Sequence, residues 1–104
     1  MQVQEELLLA KQSRLEGNEG RARVCARRAA GAAVQVYLDR KELSAHGENA
    51  IESLLTLKEL VLLPDRVQQA VKSLVQRVNL DHNLPSDVDL IHEASIVILY
   101  LEDE

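Results

Sequence analysis

Few side chains in this 104-residue sequence have the type and spacing that chemistry requires. Cys25 is the lone thiol; as a nucleophile it needs a base to take its proton, and no histidine stands within two helical turns of it. Its expected place is that of a small buried hydrophobe. Asp89 and His92 are spaced i, i+3 and Glu42 and His46 i, i+4, as metal ligands on a helix face are. A carboxylate-bridged centre needs matching motifs on two helices plus two further carboxylates, and Glu42 and His46 fall at an expected helix end, so no metal is expected. Gly17-Asn18-Glu19-Gly20 lacks the Lys-Ser/Thr that completes a phosphate loop and reads as a break between helices. No Ser-His-Asp or Cys-His arrangement stands out, and no cofactor is expected.

The arginines are more conspicuous. Arg21, Arg23, Arg27 and Arg28 fall on one sector of a long helical pattern, together with Gly31 and Gln35. The plainest reading is a solvated face making weak ion pairs, some of them with acids of the last helix. A second is complementary docking of two subunits, basic face to acidic face, with charge fixing orientation more than affinity. A third is contact with the phosphates of a nucleic acid or nucleotide.

Charge and composition weigh on that choice. The chain carries 12 Lys and Arg against 17 Asp and Glu, a net charge of −5, with no Trp or Phe and two tyrosines, Tyr37 and Tyr100. Nucleic-acid binders ordinarily show net positive charge and several stacking aromatics, and this chain is acidic with only Tyr37 and Tyr100. Its charge is also split: residues 1–41 hold eight basic and five acidic side chains, whereas residues 42–104 hold four and twelve. A single cysteine forms no internal disulfide, which suits a reducing compartment. The acidic start and the short Leu7-Leu8-Leu9-Ala10 run do not make a signal peptide. The longest apolar run, 96–101, is about a third of the ~20 residues that span a bilayer. The expectation is a cytoplasmic protein without a membrane segment.

The elements that must position these residues are helical. A first helix over about 2–16 places Val3, Leu7 and Ala10 on one face, with Leu8 and Leu15 beside them, and Gly17 supplies a left-handed stop. Asn18 caps a second helix over about 19–44, about 39 Å long at ~1.5 Å per residue. On it Ala22, Ala26, Ala29 and Ala33 form a narrow stripe that lets another backbone approach closely, at the bundle centre or at a dimer contact. Asn49 with Glu52 resembles a capping box and opens the third helix. Pro64 interrupts and restarts the chain, and Val67, Ala70, Val71, Leu74 and Val78 follow i, i+3, i+4 spacing over a fourth helix at about 65–78. After a loop at 79–85, Ser86 and Asp89 form a cap-like pair before a last helix carrying Leu90, Ile91, Ala94, Val97, Ile98 and Leu101 inward. No strand partner exists for the β-branched stretch at 96–101. One all-α domain over 1–104 is expected, a five-helix, largely up-and-down bundle.

The run from Gly17 to Leu38, with Ala26, Ala29, Ala30, Ala32 and Ala33 at its heart, resembles the long alanine-rich helix of HEPN domains, small all-α domains. The resemblance implies a bundle that often dimerises. In toxin-like members it implies a metal-independent ribonuclease that uses an Arg, four to six residues, then a His. Arg77 and His82 fit that spacing; His82 would relay a proton and Arg77 would hold the scissile phosphate. The position after Arg77 is Val78, where the family usually has a polar residue, and Arg40 to His46 meets the same spacing. The function expected is therefore non-catalytic protein–protein association as a homodimer. The alternative is RNA binding or cleavage through Arg77 and His82, with Arg21, Arg23, Arg27 and Arg28 as a contact face.

Overall fold

A computed structural model describes residues 2–43, 49–76 and 88–104. They form five helices and no strand: α1 (Gln2–Leu15), α2 (Glu19–Arg40), α3 (Ala50–Leu60), α4 (Asp65–Val75) and α5 (Leu90–Asp103). The chain is thus the all-α five-helix bundle that its periodicity calls for. No helix among the described residues is long and apolar enough to cross a membrane.

Local chemistry sets most of the helix ends. Gly17 adopts φ +80°, and around it Asn18 N–H donates to Ser13 C=O and Gly17 N–H to Arg14 C=O, a Schellman closure that satisfies the last carbonyls of α1. Asn18 then turns its side chain onto the N–H of Arg21 and starts α2. Asn49 does the same for Glu52 at the start of α3. Asp89 caps α5, its Oδ1 accepting from the N–H groups of Ile91 and His92. The proposed partner Ser86 lies outside the described residues, as does the 79–85 loop.

Two ends differ from the sequence reading. Helix α2 stops at Arg40, short of 44, because a second Schellman closure forms there: Leu43 N–H donates to Leu38 C=O and Glu42 N–H to Asp39 C=O. Glu42 takes the left-handed position at φ +58°, where glycine is usual. Leu43 packs against the core beyond it, which offsets the strain. Helix α4 stops at Val75, with extended backbone at Gln76, rather than running on to 78.

Helix α2 is the hub, packing against α1, α3 and α5. At 22 residues it is about 33 Å long. Ala22, Ala26, Ala29 and Ala33 are all buried, as the stripe requires, and Cys25 is buried beside them. Small side chains let α1 and α5 approach the α2 backbone closely while Val34, Leu38, Leu54, Leu74 and Leu101 fill the remaining interior.

Gly31 does not lie on a solvated sector with the arginines. It is buried, and a Cβ built on it would stand 2.7 Å from Cα of Ala50, the first residue of α3. Glycine in mid-helix costs about 1 kcal/mol relative to alanine, and here that cost admits the start of α3 against the α2 backbone. Gly31→Ala should therefore destabilise the fold by about 1–3 kcal/mol, despite the better helix propensity of alanine. Urea denaturation checks this; a gain in stability would show that α3 does not seat on Gly31.

Candidate functional site

The four arginines in the first half of α2 do not share one environment. Arg21 is exposed. Arg23 lies 3.8 Å from Glu19, one turn earlier, too far for a hydrogen bond. Arg28 pairs with Glu6 on α1, Nε to Oε2 at 3.1 Å. Arg27 reaches furthest: its Nε donates to Leu74 C=O at 2.9 Å and its Nη2 to Gln76 C=O at 3.3 Å. It thereby serves the end of α4, where the last carbonyls have no intrahelical donor. Burial, and then the charge of Arg23, lowers its pKa from the usual arginine value. None of these four meets an acid of α5 among the described residues; the acids they use belong to α1 and to α2 itself.

Acids of α5 are instead joined to arginines that periodicity did not single out. Arg66 of α4 meets Glu93 in a two-bond fork, at 3.1 and 2.6 Å, satisfying a largely buried carboxylate. At one end of the bundle Arg14 donates to both carboxyl oxygens of Glu19 and also to Asp89 Oδ1 at 2.8 Å. Its guanidinium thus ties the end of α1 to the starts of α2 and α5. Asp89, which is spaced i, i+3 from His92, has its Oδ1 turned to the backbone and Arg14. Among the described residues no group of His, Cys, Asp and Glu could hold a metal ion. Arg77, His82 and His46 lie outside the described residues.

At the opposite end α1 and α5 part, and an apolar groove opens over α2. Its walls are Val3 of α1, Ala33, Val36 and Tyr37 of α2, and Ile98 and Leu101 of α5, enclosing about 210 Å³. This exceeds the roughly 150 Å³ apolar cavity that suffices to hold a benzene ring. Its lip is polar: Gln4, Arg40 from α2 and Glu102 from α5. Arg40 lies 5.7 Å from the centre of the Tyr37 ring and gives Nη2–H to Leu101 C=O at 2.7 Å, which joins the ends of α2 and α5. The two helices accordingly run in the same direction, with α1 antiparallel between their ends. Periodicity assigned Val3, Ala33, Ile98 and Leu101 to the interior, and all four are buried; they form the floor of the groove.

The Arg14 junction makes stability depend on pH. The Arg14 hydrogen bonds hold Glu19 below the usual glutamate range. For Asp89 partial burial pulls upward, but the bonds from Arg14 and from the His92 and Ile91 N–H groups prevail, and its pKa is lowered. Carboxylates with lowered folded-state values stabilise the fold above the usual range, and that stabilisation fades as pH falls through the lowered values. Wild type should therefore lose stability from about pH 5 to about pH 2 more steeply than Arg14→Gln. Parallel urea-denaturation profiles would exclude this role. Arg27→Ala should cost about 1–3 kcal/mol by stripping charged hydrogen bonds from α4, whereas Arg21→Ala should stay within about 0.5 kcal/mol. Thermal unfolding of the two variants distinguishes them.

No family model matches the chain, and neither the curated proteins nor the solved structures contain a match.

Proposed function

We propose that this chain works by non-catalytic protein–protein association, as a homodimer with a HEPN-like bundle. The observation that supports this best is the amount of large aliphatic side chain left in water. Leu15 and Leu62 are 89 % and 91 % exposed, and Leu8 and Leu99 are 67 % and 62 % exposed. One bare leucine needs no explanation on a protein surface; several on a domain this small mark contact surface. The polar chemistry is occupied in the opposite sense. Arg14, Arg27, Arg28, Arg40 and Arg66 are engaged with carboxylates or carbonyls of the same chain, holding helices together. Guanidiniums committed in this way have fewer N–H groups to offer phosphate.

Sedimentation equilibrium tests the reading. A dimer at micromolar concentration, dissociating on dilution without loss of helicity, is the expected outcome. A strict monomer at high concentration would exclude it, and RNA cleavage abolished by His82→Ala would replace it with a catalytic one.

A further inference from the structure

We infer that the groove between α2 and α5 is where a second copy of this chain docks, through a two-fold contact in which Arg40 of each copy meets Glu102 of the other. The inference rests on the homodimer reading and names the surface.

Three observations carry it. The first is the groove itself, whose floor is made of the buried side chains Val3, Ala33, Tyr37, Ile98 and Leu101 and whose mouth opens to solvent beside the exposed Val36. Apolar surface at that mouth gives association a driving force and no directional preference.

The second is a bare aliphatic side chain on its rim. Val36 lines the groove from α2 and is exposed, so it extends the apolar area outward, as an anchor flanked by further contact surface requires.

The third is the charge of the lip, which selects the occupant. Arg40 stands on the α2 side and Glu102 on the α5 side. Asp39, Lys41, Glu42, Asp103 and Glu104 stand at the same end of the bundle but do not line the groove, so its lip carries one charged side chain on each side. A lip with one sign on each side is complementary to itself after a half-turn. Rotation about an axis through the groove brings the cationic side of one copy onto the anionic side of the other, twice over, as an isologous contact demands. Arg40 uses one N–H on Leu101 C=O and sits against the Tyr37 ring, and a guanidinium carries five such donors. It is thus already oriented at the lip, which lowers the ordering cost of a second bond.

Charge reversal tests the pairing. Arg40→Glu and Glu102→Arg are each made singly, and sedimentation equilibrium is run on wild type, on each variant and on their equimolar mixture. Each variant alone sets like charges against each other at both symmetry-related contacts, so its dimer should weaken at least about tenfold. In the mixture Glu at 40 of one copy faces Arg at 102 of the other, and Arg40 faces Glu102, so a heterodimer of wild-type tightness should form. A folding defect in either variant would not be repaired by mixing. If wild type dimerises and the single variants dimerise equally well, or the mixture is no tighter than they are, the groove is not the interface although the homodimer reading stands. A wild-type chain that stays monomeric overturns both and leaves the groove to a partner of another kind.

Discussion

Close approach to the backbone of α2 is the constraint on which the rest of this structure depends. A helix of ordinary side chains keeps its neighbours 8–10 Å away, axis to axis. Here Ala22, Ala26, Ala29 and Ala33 present methyl groups to α1 and α5, and Gly31 presents nothing at all to Ala50. Three helices can therefore converge on one, which is how a chain without Phe or Trp excludes water from its interior. Bulk comes from leucine and valine in the surrounding helices, and α2 supplies the room. The cost is sensitivity, because a close-packed seam of small residues has no slack for an added carbon.

Arginine does the fastening that aromatic bulk does elsewhere. Arg14 holds the end of α1 to the starts of α2 and α5, Arg27 holds the end of α4 to α2, Arg40 joins the ends of α2 and α5, and Arg66 joins α4 to α5. Arg14, Arg27 and Arg66 use two or more guanidinium N–H groups on carboxylates or end-of-helix carbonyls, and Arg40 uses one on Leu101 C=O. The fastenings are unevenly spread between α1 and α5. They are pinned at the Arg14 end, whereas the apolar groove lies toward Val3 and Leu101.

How much of this was legible in the sequence divides along physical lines. Asn18 and Asn49 cap helices where residue type and position suggested, because a cap is a contact between residues two or three apart; Asp89, expected in a cap-like pair with Ser86, is itself the cap of α5. Glu42 was not legible: a left-handed glutamate is tolerated only because Leu43 packs beyond it, and that packing belongs to the tertiary structure. The arginine pattern misled for the same reason. Angular position on α2 placed Arg21, Arg23, Arg27 and Arg28 on one sector, yet the partners of Arg27 lie 47 and 49 residues away. Gly31 looked polar-facing by angle and is buried by α3.

The sequence by itself determined the number of helices, most of their ends and the central alanine seam, because periodicity, caps and side-chain volume act over one or two turns. Only the tertiary structure decided which arginine meets which carbonyl or carboxylate, where α3 seats, and that α1 and α5 leave a groove between them. Those outcomes depend on contacts such as Arg40 with Leu101 and Arg14 with Asp89, 61 and 75 residues apart. No local pattern encodes such pairs, since their geometry exists only after the chain has folded.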